Sequence, residues 1–235
     1  MITTVLFDLD GTLLPMDQDA FTRGYFKLLA AKLAPHGYEP KQLVEAIWTG
    51  TEAMVRNDGS RTNEAAFWDK FASIYGEKAK ADEPLFVDFY ANEFNQAQSI
   101  CGHDPRAAEV VHSLQNRGYR VVLATNPIFP RIATENRIRW AGLEPDDFAL
   151  ITTYENSTYC KPNPAYYREI LERLGLKAEE CLMVGNDVVE DGAAQKLGIP
   201  VFFLTPCLIN TQGKDISAIP RGGFDELAAY LDQLN

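Results

Sequence analysis

Two carboxylates, Asp8 and Asp10, stand two residues apart at the end of an apolar run, Thr4-Val5-Leu6-Phe7, and are followed by Gly11-Thr12. On a chain still extended, residues i and i+2 lean to the same side. Like charges at that spacing raise each other's pKa unless a cation sits beside them. A further carboxylate from a neighbouring loop, Asp187, would complete an all-oxygen set. Such a set suits Mg²⁺, a hard cation that keeps waters and binds through one or two carboxylates plus substrate phosphate. Thr125 and Asn126 and the cluster Gly185-Asn186-Asp187 with Asp191 also follow apolar runs, and Lys161 ends the loop after another.

The elements that must position these residues are legible in the hydrophobic pattern. Continuous apolar runs at 2–7, 120–124, 149–152, 181–184 and 201–204 predict strands buried on both faces. Helical patterns at 105–117, 130–141, 164–174, 191–197 and 224–234 lie between and after them, and 205–223 reads as loop. Strand alternating with helix predicts an α/β fold: a Rossmann-like parallel sheet with helices on both faces, three layers in all. In such a sheet the loops leaving the carboxyl ends of the strands share one edge, where ligands bind. Asp8 and Asp10, Thr125, Lys161, and Asp187 with Asp191 would therefore meet on one rim. Each alone reads as a loop or helix-capping residue; their placement at successive strand ends is what points to a site.

From about residue 16 to 98 the texture is helical throughout, and this third of the chain holds 13 of the 26 aromatic residues. That is enough for a small core of its own. Four amphipathic helices are expected, with stripes at Phe21, Tyr25, Leu29 and Leu33; at Val44, Ile47, Thr51 and Val55; at Phe67, Phe71, Ile74 and Tyr75; and at Phe86, Phe89, Tyr90 and Phe94. Trp48, Trp68 and Trp140 lie on helical patterns and read as core. Pro40 and Pro84 mark the starts of the second and fourth helices. Because the first strand precedes this block and the others follow it, the block is an all-helical insertion. The expected domains are a core of 1–15 and 99–235 and a helical unit of 16–98.

Composition excludes several classes. With 46% hydrophobic and 23% charged residues among 235, the chain is an ordinary globular protein, not a fibre or a disordered tail. Its net charge of −11 disfavours phosphate backbones and anionic lipid, so no nucleic-acid or membrane partner is expected. No apolar run approaches the ~20 residues of a membrane span. The N-terminal run has no basic segment before it and meets Asp8 at once, unlike a secretory signal. The four cysteines are widely spaced, as reduced thiols of a cytoplasmic protein would be.

Taken in order, Asp8-Leu9-Asp10-Gly11-Thr12, Val121-Val122-Leu123-Ala124-Thr125-Asn126, Lys161-Pro162-Asn163-Pro164 and Val184-Gly185-Asn186-Asp187 with Asp191 resemble the four motifs of the haloacid dehalogenase (HAD) superfamily. The insertion lies where that family places a class-1 helical cap. The resemblance implies a phosphatase that hydrolyses a small phosphorylated metabolite through an aspartyl-phosphate. Asp8 would be the nucleophile and Asp10 the general acid and then base. Thr125 and the Asn126 backbone N–H would hold phosphoryl oxygens, with Thr12 also on the substrate side, and Lys161 would neutralise charge on nucleophile and phosphate. Mg²⁺ would be held by Asp8, the Asp10 carbonyl and Asp187.

The fourth motif departs from the family's usual Gly-Asp with a second acid four residues on. Counted from Gly185, those places hold Asn186 and Glu190; counted one later, they hold Asp187 and Asp191. A metal favours a carboxylate over an amide, so Asp187 is the expected ligand and Asp191 the supporting acid, with Asn186 the alternative. The family's dehalogenases lack a carboxylate at the place of Asp10, which argues for phosphate chemistry. Rival readings are a phosphomutase, a phosphonate hydrolase and a non-catalytic phosphate binder. Between the second and third helices, Arg56-Asn57-Asp58-Gly59-Ser60-Arg61-Thr62-Asn63 combines donors with a flexible glycine. Arg56 and Arg61 are therefore expected to face the rim and read the leaving group.

Overall fold

A computed structural model describes residues 1–233. Four strands form a parallel sheet with a short fifth: β1 (Thr4–Phe7), β2 (Arg120–Leu123), β3 (Cys181–Gly185), β4 (Val201–Leu204) and β5 (Arg221–Gly222), in the order β2-β1-β3-β4-β5. Helices α1 (Gln18–Leu33), α2 (Pro40–Val55), α3 (Asn63–Tyr75), the single turn α4 (Lys78–Ala81) and α5 (Glu83–Ala91) run between β1 and β2, followed by a 3₁₀ segment (Glu93–Ile100) and α6 (Pro105–Asn116). After β2 come α7 (Arg131–Trp140) and α8 (Pro164–Leu174), and α9 (Phe224–Asp232) ends the described chain.

The continuous apolar strands bury both sheet faces, as period-two geometry requires. Val5, Phe7, Val121, Leu123, Leu182 and Val184 face one core shared with α6, α9 and the inserted helices. Leu6, Val122, Met183, Val201 and Phe203 face the other, shared with α8. Three layers result. No described helix is long and apolar enough to cross a membrane.

The inserted helices are held together by aromatic rings. Phe71 packs on Phe67, Trp68 and Phe86 at 5.5–5.7 Å between ring centres. Phe94, fully buried, stands 5.1 Å from Trp140 of α7 and so ties the insertion to the sheet layer. Pro40 and Pro84 occupy the first turns of α2 and α5, where a missing N–H costs nothing. Asp17 and Thr62 cap α1 and α3 by accepting from Ala20 N–H at 2.8 Å and Ala65 N–H at 3.2 Å.

Several expected elements differ. The run 149–152 forms only a parallel bridge, Ile151 against Leu123, because its pairing with β2 lasts for three hydrogen bonds before the chain turns at 153–156. The helix expected at 191–197 is 3₁₀, and 205–223 contains β5. The α2 stripe is rotated to Leu43, Ala46, Ile47, Gly50 and Met54, leaving Val55 exposed. Gly50 explains the rotation: a Cβ there would lie 2.6 Å from the Phe67 ring, so the α2 backbone itself forms the seam with α3. Ile74 is exposed for the same reason, the seam running through Phe67 and Phe71. Trp48 is not core but 52% exposed. Leu234 lies outside the described residues.

All four cysteines are free. Burial pushes the Cys101 and Cys181 thiols up to about 11 and that of Cys160 to about 12, which keeps them protonated and inert.

Candidate active site

β1 delivers Asp8 to the carboxyl edge of the sheet, its N–H still in the ladder with the Val184 carbonyl at 2.9 Å. The chain then closes a tight loop, with Thr12 and Leu14 N–H both donating to the Leu9 carbonyl at 3.1 and 2.9 Å. Gly11 permits the turn at φ +82°, and a Cβ there would come within 2.2 Å of Asn186 Nδ2. Gly11→Ala is expected to cost about 1–2 kcal/mol from the left-handed backbone alone and to displace Asn186. A lowered denaturation midpoint with an unchanged m-value would show it.

Asp8 is almost wholly buried and both its oxygens are engaged. Lys161 Nζ donates to Oδ1 at 2.9 Å, and Thr12 Oγ1 lies 3.2 Å from Oδ2 and 3.1 Å from Asn186 Oδ1. Lys161, 1% exposed, also donates to Asp191 Oδ1 at 2.7 Å. Burial alone would pull the Lys161 ammonium down; Asp191 and Asp8 more than offset this and hold it well above the usual lysine range. Asp191 Oδ2 accepts from the N–H groups of Asn186 and Asp187, both at 2.9 Å. Asp191 thus ties the loop after β3 to the lysine. Gly185 makes room for it, since a Cβ there would fall 2.1 Å from Asp191 Oδ2.

Thr125 follows β2, its carbonyl accepting from Thr152 Oγ1 at 2.7 Å and Tyr166 OH at 2.8 Å. Asn126 is a bridge: its Oδ1 accepts from Lys161 N–H at 3.2 Å and its Nδ2 donates to both oxygens of Glu190 at 3.1 Å. Asp187 Oδ1 accepts from Val189 and Glu190 N–H at 2.7 and 2.9 Å. The expected residues Asp8, Asp10, Thr125, Asn126, Asn186, Asp187 and Asp191 all border one cavity of about 250 Å³ between the sheet edge and the inserted helices. Thr12 and Lys161 are buried behind Asp8.

Arg56 and Arg61 lie elsewhere. They are exposed and paired with Glu52 at 2.6 Å and Asp69 at 2.8 Å, bordering a separate surface depression. Their loop instead docks the insertion on the core: Tyr159 OH donates to the Asp58 carbonyl at 3.1 Å, and Asn63 Nδ2 to the Pro127 carbonyl at 3.2 Å. The donors expected to read a ligand are spent on ion pairs and docking.

Two residues play parts that the sequence alone does not assign. Arg137 of α7 is 1% exposed and forms an ion pair and hydrogen bond with Asp10 Oδ2, its guanidinium 4.3 Å from the centre of the Phe129 ring. Its signal was a charge at helical spacing among Ala133, Thr134, Ile138 and Ala141, all buried. Burial raises the Asp10 carboxyl; Arg137 opposes that rise without cancelling it. Glu190 is the second, its carboxyl pushed up to about 8 by burial against the partial relief of Lys161. A carboxyl held protonated in the native state but ionised above its ordinary 4.5 in the unfolded chain makes stability fall as pH rises between those values. In EDTA, wild-type stability is expected to decline from about pH 5 to pH 8, and Glu190→Gln to decline less, as urea midpoints across that range would record.

The donor set facing the cavity is all oxygen. Among the described residues no three Asp, Glu, His or Cys side chains converge closely enough to hold a metal alone. Mg²⁺ does not require that, since it takes one or two protein carboxylates and completes its shell with waters and phosphate. Asp10 Oδ1 is a buried carboxylate oxygen without a hydrogen-bond partner, as the edge of a cation or substrate site would leave it.

A parallel α/β core thus carries paired aspartates, a buried lysine and a third acid at its carboxyl edge, beside one cavity. The family model described as haloacid dehalogenase-like hydrolase matches residues 2–198, and the chain belongs to that family. It is similar to pyrophosphatase PpaX of Bacillus cereus (strain AH820), 26% identical over 186 residues, 79% of this chain and 75% of that protein. It is equally similar to a ribulose-1,5-bisphosphate 5-phosphatase of Halopiger xanaduensis, 26% identical over 215 residues, 88% and 86% of the two chains. Among solved structures, a 2-haloacid dehalogenase of Pseudomonas syringae pv. tomato DC3000 shares the fold with a TM-score of 0.64 at 22% identity, over the whole of both chains. The HAD-hydrolase YfnB of Bacillus subtilis, described as bound to magnesium, superposes with a TM-score of 0.58 at 19% identity over 98% and 99%.

Proposed function

We propose that this chain is a Mg²⁺-dependent phosphatase that hydrolyses a small phosphate monoester through an aspartyl-phosphate on Asp8. The observation that carries the reading is Asp8 fixed by Lys161 and Thr12, with Asp10 two residues on, at the polar end of the cavity. An Asp8 oxygen attacks phosphorus and the ester bond breaks, while Asp10 gives its proton to the leaving alkoxide. Asp10 then takes a proton from the water that attacks the acyl phosphate, restoring Asp8 and releasing inorganic phosphate. Lys161 offsets the repulsion between carboxylate and phosphate dianion, and Thr125 with the Asn126 backbone N–H orients the phosphoryl oxygens.

Asp8, the main-chain carbonyl of Asp10, Asn186 and Asp187 would hold Mg²⁺, which would draw charge from the phosphoryl oxygens. Asp187 keeps a second carboxylate oxygen for a cation, and Asn186 Oδ1 is the alternative ligand. Asn186 Oδ1 shares the Thr12 hydroxyl with Asp8, and Asp187 Oδ1 accepts from two N–H groups. The helices of 16–98 act as a cap over a core of 1–15 and 99–235.

Phosphate release from a panel of sugar phosphates, phosphoglycolate, nucleoside monophosphates and aryl phosphates tests the reading. Turnover of at least one ester with Mg²⁺, abolished by EDTA and restored by added Mg²⁺, is expected. No release from any ester would overturn it.

A further inference from the structure

The cavity has two chemically different ends. Its sheet end carries the carboxylates; its wall on the insertion side is built from rings, among them Phe21, Phe26, Trp48, Phe67 and Phe86. No Lys, Arg or His borders it among the described residues. The insertion has nine basic residues, none of which borders the cavity, and five are paired elsewhere: Lys32 on Asp88 and Glu93, Arg56 on Glu52, Arg61 and Lys80 on Asp69, Lys78 on Asp82. The one charge the insertion presents to the cavity is an acid, Glu83. Two of the hydroxyls on that wall, Tyr25 and Tyr90, bond each other at 2.9 Å.

Such a wall sets terms for the leaving group. A second phosphate would lie against rings and a carboxylate with no cation to pair it, and burying an unpaired anion is among the costliest placements in a protein. A polyol would meet Gln18, Thr22 and Thr51 on that wall, the last already donating to the Ile47 carbonyl at 2.9 Å, and would otherwise lose its hydration against rings. A hydrocarbon or aromatic group would gain by burial and by ring contact. The mouth has the same character: Trp48 and Val87 border the cavity yet are 52% and 48% exposed, and the Trp48 ring leans on Phe26 at 5.5 Å. Exposed large apolar groups gathered at a cavity mouth mark a site of ligand contact.

Resting on the phosphatase reading, we infer that the substrate is the phosphate monoester of an uncharged, largely apolar alcohol, aromatic by preference, and not a bisphosphate, a pyrophosphate or a sugar phosphate. The phosphate sits at the Asp8 end, and the hydrocarbon lies between the rings of α1, α2 and α3 and reaches Trp48.

Initial rates with Mg²⁺ on 2-phenylethyl phosphate, glycerol 3-phosphate, ribulose 1,5-bisphosphate and pyrophosphate test this. The first two are esters of primary alcohols, so the comparison reads the cavity and not an activated leaving group. A kcat/KM for 2-phenylethyl phosphate at least about thirtyfold above that for glycerol 3-phosphate is expected, the scale set by burying a ring, with the bisphosphate and pyrophosphate lower still. Trp48→Ala removes a half-exposed ring, should fold as the wild type does, and should narrow the thirtyfold ratio severalfold. If glycerol 3-phosphate, ribulose bisphosphate or pyrophosphate is turned over as well as or better than the phenylethyl ester, the inference is overturned while the phosphatase reading stands. An unchanged ratio in Trp48→Ala also overturns the placement. Hydrolysis of none of the four, nor of any ester in the broader panel, removes the phosphatase reading and the inference with it.

Discussion

Asp8→Asn should lower kcat for phosphate release by about 10⁴-fold or more, the scale of losing a covalent nucleophile. The amide keeps the shape of the side chain and can still accept from Lys161 or Thr12, but it has no charge to attack phosphorus and no anion to carry the intermediate. Lys161 is not stranded by the change, because Asp191 remains at 2.7 Å, itself held by two backbone N–H groups. The variant should therefore fold, and its loss should be one of rate. Steady-state phosphate release with saturating Mg²⁺, beside a circular dichroism melt, makes the comparison. A variant that melts normally and retains activity within tenfold of wild type would mean that another group is the nucleophile.

How much of this site could be seen in the sequence depended on whether a residue's role is fixed by topology or by packing. Asp8, Thr125, Lys161 and Asp191 follow or precede apolar runs, and a parallel sheet brings its carboxyl ends to one edge whatever the side chains around them. The strand cores at 4–7, 120–123, 181–185 and 201–204 were legible for the same reason, being buried on both faces and so continuously apolar. The orientation of α2 was not, because Gly50 turned a backbone surface into a packing seam with Phe67, and a glycine carries no apolar signal. The exposure of Trp48 is not legible either, because its position on a helix says nothing of whether the face it occupies meets protein or the mouth of a cavity. Arg56 and Arg61 pair instead with Glu52 and Asp69, four and eight residues away along the chain, so their charge answers local acids and not a ligand. Arg137 escaped because a buried charge is recognised only when its partner is known, and Asp10 is 127 residues away.

That pair is where stability and chemistry meet in one contact. Arg137 is buried, its Nε donating to the Ala133 carbonyl at 3.2 Å and its plane lying against Phe129, so it cannot swing to solvent and its charge is compensated by Asp10. Removing one member of a buried pair costs about 3–5 kcal/mol, since the other charge is left in a poor medium. Asp10, its side chain 22% exposed, can relieve part of that by protonation or by water. Arg137→Met, which keeps the length of the stem, is accordingly expected to lose about 3 kcal/mol, near the low end of that range, seen as a fall in Tm of about 6–12 °C for a chain of this size. Asp10→Asn made in the same background should recover part of the loss, with a coupling of at least about 1 kcal/mol in the double-mutant cycle. The second consequence is in rate. Arg137 now opposes the rise that burial gives the Asp10 carboxyl; without it that carboxyl rises further. A general acid with a higher pKa stays protonated to higher pH, so the alkaline limb of the kcat/KM profile should move upward in Arg137→Met. A merely structural arginine would lower Tm and leave the limb where it is; an upward shift of that limb, reversed in Arg137→Lys, identifies Arg137 as the group that sets the proton affinity of Asp10.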